Sequence, residues 1–126
     1  MKAYKILDRT NRQLHSCIVT GDARTRYFVG KPTTPKVEGS YLMAFASIED
    51  AKNFGFDPQN ESLYEVEAKL APTNRWRSDL VYAHKGDSLS LEELKRFWLV
   101  GNYGLAREAP LGTLFCEEIT LTKRIS

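Results

Sequence analysis

The triplet Arg75-Trp76-Arg77 has the residue types in this chain that are best suited to binding chemistry. An indole ring can stack on a nucleobase or another planar group, and the two guanidinium groups beside it can hold phosphates. The triplet follows Pro72, which favours a loop position. The alternative is that Trp76 packs at the edge of the core while both arginines are solvated. Tyr103, in a polar loop after a predicted helix, is a further candidate, since loops on a rigid scaffold often carry partner contacts.

Motifs for catalysis or metal binding are missing from the chain. His15 and His84 are its only histidines, and neither has a cysteine, histidine or aspartate at metal-ligand spacing. Gly30-Lys31 lacks the upstream glycine and the following Ser or Thr of a phosphate-binding loop. No Gly-x-Ser-x-Gly elbow marks a serine hydrolase, and no feature marks Cys17 as a nucleophile. The sequence therefore predicts no catalytic residues, no metal and no cofactor.

One enzyme class remains as an alternative because of the order of a few residues. Mono-ADP-ribosyltransferases carry a basic residue or histidine on a first strand, a Ser/Thr step on a middle strand and a glutamate near a late strand. This chain resembles that plan, with Tyr4-Lys5 early, Ser47 at the end of a middle strand, and Glu117 or Glu118 late. The arginine or histidine expected on the first strand is missing, and Ser47 also suits a helix N-cap.

A strand that runs directly into a capped helix is the clearest pattern among the elements that must position these residues. Residues 42–45 form an apolar strand-like run, and Ser47 stands where an N-cap belongs. Asp50, three residues later, suits the acidic position of a capping box, and Gly55 ends the helix. The strict alternation of residues 64–70 then predicts a further strand.

The remaining patterns complete an α+β prediction for one domain over residues 1–126. Strands are predicted at 2–7, 14–20 and 114–123, with a short one near 27–29, and a second helix at 88–100. Two prolines favour a loop at 30–36. We expect a mostly antiparallel sheet of five to six strands with two helices packed on one side. The predicted core contains Tyr4, Ile6, Ile18, Leu42, Phe45, Ala51, Phe54, Val66, Leu94, Trp98 and Ile119.

The composition is that of an ordinary globular protein. The chain has 126 residues, of which 42% are hydrophobic and 27% charged. It shows no signal-peptide pattern at its start and no apolar run long enough for a membrane span, so we expect a cytoplasmic protein. Cys17 and Cys116 lie in apolar strand-like runs, which favours buried free thiols over a disulfide.

The charges are unevenly distributed, although their net value is only +2. Residues 1–36 carry a net charge of +6, and residues 37–70 carry −5. This separation predicts either a basic face for an anionic partner, or a basic strand that pairs beside the acidic one so that the charges cancel. Arg24, Arg26 and Lys31 are the candidate contact residues in the basic segment.

The first seventy or so residues also resemble a loose set of small uncharacterised proteins encoded by bacteriophages and mobile elements. The resemblance lies in Tyr27-x-x-Gly30-Lys31, a loop with Pro32 and Pro35, an aromatic strand, and the helix start at Ser47-Ile48-Glu49-Asp50-Ala51. It carries no catalytic residues. It implies a small protein that binds a host factor, and blocking a defence system is one such role.

The sequence therefore predicts a binding protein that contacts a host or partner protein. The alternatives are an ADP-ribosyltransferase-like enzyme and a nucleic-acid-binding module that uses the basic N-terminal third together with residues 75–77. The predicted partner-binding residues are Arg24, Arg26, Lys31, Arg75, Trp76, Arg77 and Tyr103.

Overall fold

The computed structural model describes residues 1–16, 24–36, 40–72, 80–81, 92, 95, 107–108 and 112–126. Strands dominate this part of the chain, and its one complete helix is short. The elements are β1 (Lys2–Thr10), β2 (Gln13–His15), β3 (Arg26–Tyr27), β4 (Pro32–Thr33), β5 (Leu42–Phe45), α1 (Ile48–Asn53), β6 (Glu61–Leu70), β7 (Leu80–Val81), β8 (Arg107–Glu108) and β9 (Thr113–Arg124).

The predicted α+β architecture, with two helices packed on one side of a sheet, is wrong. Strands β1, β5, β9 and β6 form a closed ring, because β5 and β6 each pair with both β1 and β9. The described part of the chain is therefore a small, mostly β barrel with additional strands and one complete, short helix. Closure occurs because three long strands can bond along both edges, which leaves fewer unpaired backbone groups. Of the predicted second helix, only Glu92 and Lys95 lie among the described residues, and both are helical and exposed.

All pairs in the barrel are antiparallel. The β1–β6 ladder runs from Lys2↔Glu67 to Asp8↔Glu61 without interruption. The β6–β9 ladder shifts register twice, between Glu65 and Val66 and between Lys69 and Leu70. Such irregularities bend and twist a strand, which a barrel of only four strands requires. The β1–β5 seam is a single pair, Tyr4↔Phe45.

Short strands extend the barrel at two places. Strand β2 pairs with β1, β3 pairs with β2, and β4 pairs with β9. The loop predicted at 30–36 is wrong in one respect, because Pro32 belongs to β4 and lies opposite Thr120. A proline is tolerated there because β4 ends the strand order, where one edge need not donate a ladder hydrogen bond.

Two hydrophobic clusters form the core, one from each face of the barrel strands. The first lies inside the barrel and contains Ala3, Leu7, Tyr27, Leu42, Ala44, Tyr64, Val66, Ala68, Cys116, Ile119 and Leu121. The second lies under α1 and contains Ile6, Phe45, Ala51 and Leu63, with Tyr4 and Phe54 partly buried beside them. The core prediction is confirmed for Ile6, Leu42, Phe45, Ala51, Val66 and Ile119. Ile18, Leu94 and Trp98 lie outside the described residues.

The predicted start and end of the first helix are confirmed. The Ser47 Oγ accepts a hydrogen bond from the backbone N–H of Asp50 at 3.0 Å, and Gly55 follows the C-cap with a φ of +111°. The Asp50 carboxylate lies against Gly112, where a Cβ would collide with it. Gly112 also has a φ of +79°, so this close approach between α1 and the start of β9 requires glycine.

Candidate functional site

A tight turn at residues 28–31 connects β3 to β4. The Lys31 N–H donates to the Phe28 carbonyl at 3.1 Å, and Gly30 has a φ of +79°, the geometry of a type II turn. The Gly30 N–H donates to the carbonyl of Leu121 in β9 at 2.9 Å. The turn therefore joins the outer strands β2 and β3 to a barrel strand. Its backbone is fixed by one hydrogen bond within the turn and one to β9.

Tyr27 anchors the beginning of this turn in the barrel. Its side chain is only 2% exposed and belongs to the interior cluster. The Lys5 Nζ lies 5.4 Å from the Tyr27 ring centroid and donates to the carbonyl of Met43. Because Tyr27 points inward, its neighbour Phe28 points to the opposite side.

Phe28 and Val29 expose two adjacent apolar side chains at the tip of the turn. Phe28 is 47% exposed and Val29 is 55% exposed. The guanidinium carbon of Arg26 lies 4.4 Å from the Phe28 ring centroid, and the Lys31 Nζ lies 5.8 Å from the same centroid. Both distances are within the range of cation–π attraction, so both cations stabilise the position of the Phe28 ring.

Arg12 lies at the same end of the β2–β3 pair as this turn. Leu14 is opposite Tyr27 in an antiparallel register, so the residues before Leu14 lie beside the residues after Tyr27. Arg12 is exposed, as are Arg26 and Lys31. We refer to Arg12, Arg26, Phe28, Val29 and Lys31 as the turn surface.

The other cations of the first 36 residues are used mainly within the fold. Lys2 pairs with Glu65 of the acidic strand β6 at 3.4 Å, and Arg24 pairs with Asp8. Arg9 donates to the carbonyls of Pro58, Gln59 and Glu61 and to the Ser62 hydroxyl. The predicted pairing of the first strand beside the acidic strand is therefore confirmed, and among the described residues Lys2–Glu65 is the side-chain ion pair between them. Within the described part of the chain, the three cations of the turn surface form no ion pair.

His15 lies in a charged row beside the turn surface. In the strand register it lies opposite Asp8 of β1 on one side and opposite Arg26 of β3 on the other. Burial lowers the pKa of His15, the charges of Arg24 and Arg26 lower it further, and Asp8 opposes them. The imidazole is therefore neutral near pH 7. Asp8 is bound to Arg24 and to the Thr10 hydroxyl, so it does not orient His15 as a general base.

Of the predicted partner-binding residues, the structure brings only some to the turn surface. Arg26 and Lys31 lie on the turn surface, whereas Arg24 turns to Asp8 and is partly buried. Arg75, Trp76, Arg77 and Tyr103 lie outside the described residues. Sequence reasoning missed Phe28 and Val29 because it assigned them to a strand. The glycine at position 30, two residues after Phe28, was the available signal for a type II turn.

The residues proposed for an ADP-ribosyltransferase-like site are not brought together. The Ser47 hydroxyl caps α1, and Glu117 pairs with Lys69 at 3.6 Å. Phe45 is opposite Thr113, so Ser47 and Glu117 lie in opposite directions from this pair. The six residue steps between them correspond to roughly 20 Å along the strands. Lys5 points into the barrel, where it donates to Met43.

The described residues contain no group of three or more His, Cys, Asp or Glu side chains that could hold a metal ion. Cys116 is free and completely buried, which confirms the free-thiol prediction for this residue, while Cys17 lies outside the described chain. Burial raises the pKa of the Cys116 thiol to about 11. Cys116 is therefore a packing residue and not a nucleophile.

Comparison with known proteins found no matching protein family, no similar curated protein and no similar solved structure. In the described ranges, no helix has the length and apolar character needed to cross a membrane.

Proposed function

We propose that this chain is a binding protein that contacts a partner protein through the turn surface. The observation that carries the proposal is the exposure of Phe28 and Val29, two adjacent apolar side chains on a turn whose backbone is hydrogen-bonded to the barrel. Exposed apolar groups with a polar rim are the usual composition of a protein interface.

The residue types and the fixed backbone of the turn both favour binding of a partner protein. Aromatic residues and arginine are the residue types that most often dominate interface energies. Phe28 and Arg26 are already in contact in the free protein. The hydrogen bonds of Lys31 and Gly30 fix the backbone, so little conformational entropy is lost when a partner binds.

The resemblance to bacteriophage and mobile-element proteins supports a host protein as the partner, in the cytoplasm of the host cell. A component of a host defence system is the class of partner that we propose on that basis. This part of the proposal depends on the resemblance, whereas the contact surface depends on the geometry of residues 26–31.

Nucleic-acid binding is a second candidate, supported by the three cations of the turn surface that form no ion pair with a described residue. Binding to phosphates weakens steeply with salt because counterions are released. A packed apolar contact is much less sensitive to salt. The two candidates can therefore be distinguished at about 0.3 M salt.

Site-specific photo-crosslinking tests the proposal. A photoreactive phenylalanine analogue replaces Val29 in one variant and Leu70 in a matched control, since Leu70 is similarly exposed at 45% but lies in β6. After irradiation in cells that produce the protein, we expect a discrete protein adduct from position 29 only. The adduct should disappear when Phe28→Ser is added. Equal adducts from both positions, or only nucleic-acid adducts, would contradict the proposal.

A further inference from the structure

We infer that the partner presents an acidic segment that carries at least one aliphatic side chain, and that its carboxylates bind Arg26 and Lys31 while the aliphatic group packs on Phe28 and Val29. This inference rests on the proposed function, and it adds the chemistry of the partner.

The charges around the turn surface indicate an acidic ligand. Arg12, Arg26 and Lys31 are exposed and form no ion pair within the described ranges. The carboxylate closest to them in the strand register, Asp8, already accepts from Arg24 and Thr10. No described carboxylate pairs with these three cations, so the described residues favour an acidic ligand as their complement.

Two acidic residues of the neighbouring strand β6 also form ion pairs. Glu65 pairs with Lys2, and Glu67 pairs with the N-terminal amine of Met1. These pairs are on the β1–β6 ladder and not at the β2–β3 end of the sheet. Glu65 and Glu67 would thus add little repulsion to an acidic ligand at the turn surface.

The position of Arg26 favours a carboxylate in particular. Its guanidinium carbon lies over the Phe28 ring, 4.4 Å from the ring centroid. A guanidinium has five N–H donors, so a carboxylate can accept two of them while the contact with the ring persists. This contact also restricts the side chain before binding, which reduces the entropy lost on binding.

A nucleic-acid ligand fits the same residues less well. A base could stack on the face of Phe28 that Arg26 covers only by displacing the guanidinium. Val29 offers an aliphatic surface but no ring or donor for a base. The chain as a whole carries a net charge of only +2, with its acidic residues concentrated in 37–70. An aliphatic side chain can instead pack on Val29 beside the Phe28 ring and needs no free ring face, so it does not compete with Arg26.

Binding of defined probes tests this inference. The first probe is a short fluorescent peptide of glutamates with two leucines. In a second peptide glutamine replaces every glutamate, in a third serine replaces both leucines, and a single-stranded oligothymidine of equal charge is the fourth probe. At about 0.1 M salt we expect the first peptide to bind at least about tenfold more tightly than the other three.

Two double variants locate the binding on the protein. Arg26→Gln with Lys31→Gln should weaken binding of the first peptide by about tenfold or more, because both charged contacts are lost. Lys52→Gln with Lys69→Gln removes the same charge at exposed positions on α1 and β6, and should have little effect. Phe28→Ser should weaken the first peptide but not the serine-substituted one.

Three results would overturn the inference: no binding of the glutamate–leucine peptide, tighter binding of the oligothymidine, or equal losses from both double variants. Crosslinking at Val29 to a partner protein together with absent peptide binding would leave the proposed function standing and reject only the acidic segment. Peptide binding without any crosslinked protein would reject the proposed function instead.

Discussion

Tyr27 and Phe28 are neighbours in the chain, but their side chains lie in opposite environments. Tyr27 is 2% exposed inside the barrel, and Phe28 is 47% exposed on the turn surface. This division puts a core side chain next to a side chain of the proposed contact surface. A binding role for Phe28 can therefore be tested without disturbing the core.

We expect Tyr27→Ala to lower the free energy of unfolding by about 3–5 kcal/mol, because it removes a buried aromatic side chain. Phe28→Ala should change the free energy of unfolding by less than about 1 kcal/mol, because the side chain is half exposed and loses mainly its contact with Arg26. Urea denaturation of both variants measures the difference. Equal destabilisation by the two substitutions would show that Phe28 is a core residue.

Cys116 should react very slowly with a thiol reagent in the folded protein. Its pKa is raised to about 11 from the usual 9.0, and only the thiolate reacts. Because the folded state favours the neutral thiol, burial of Cys116 makes its full contribution to the free energy of unfolding below pH 9. This contribution is lost as the pH rises through about 11.

Labelling of a Cys17→Ser variant at about pH 8 isolates Cys116 and should proceed at the rate at which the protein opens. The same reaction in urea, where the chain is unfolded, gives the reference rate. Rapid labelling of the native variant would mean that the thiol is accessible and that the barrel interior is assigned wrongly.

At the level of single elements, the β1–β2 hairpin contains a strained residue. Its two-residue turn has positive φ angles of 52° at Asn11 and 62° at Arg12, as a type I′ turn requires. Asparagine adopts this conformation readily, but arginine does so at a cost. The hairpin therefore keeps Arg12 at a position where glycine would be more stable.

Arg12→Gly should raise the free energy of unfolding by roughly 0.5–1 kcal/mol, the relief of strain minus the entropic cost of glycine. The same substitution should weaken acidic-peptide binding, since it removes a cation of the turn surface. Arg12→Lys is the matched control, because it keeps both the charge and the strained backbone. A lower stability for Arg12→Gly would show that the arginine side chain stabilises the hairpin.

The elements differ in how far the sequence could predict them. The strands predicted at 2–7 and 64–70 and the helix cap at Ser47 follow from apolar patterning and from one side-chain hydrogen bond, which are local features. The observed strands are three residues longer, because β1 continues to Thr10 and β6 begins at Glu61. Barrel closure depends on β5 reaching both β1 and β9, which no local pattern encodes. Of the proposed contact surface, the charge pattern indicated Arg26 and Lys31. The exposure of Phe28 depends on how the turn after Tyr27 is fastened to β9.

At the scale of the whole molecule, β6 is the strand on which the barrel depends most. It pairs with β1 at residues 61–67 and with β9 at residues 64–70, so both of its edges are hydrogen-bonded. Its residues Leu63 and Val66 contribute to the two different core clusters. By contrast, β3 pairs with β2 at two positions only.

Amide hydrogen exchange should follow this order. The β6 amides at residues 64–67 lie where the strand is paired on both edges, so their free energy of exchange should equal that of global unfolding. The amides of β2 and β3 can exchange by local opening of a short pair at the end of the strand order, and should be less protected. Exchange measured by NMR with increasing urea separates the two classes, because local opening depends weakly on denaturant. If β2 and β3 proved as protected as β6, the turn surface would belong to the same cooperative unit as the barrel, and binding there would stabilise the whole molecule equally.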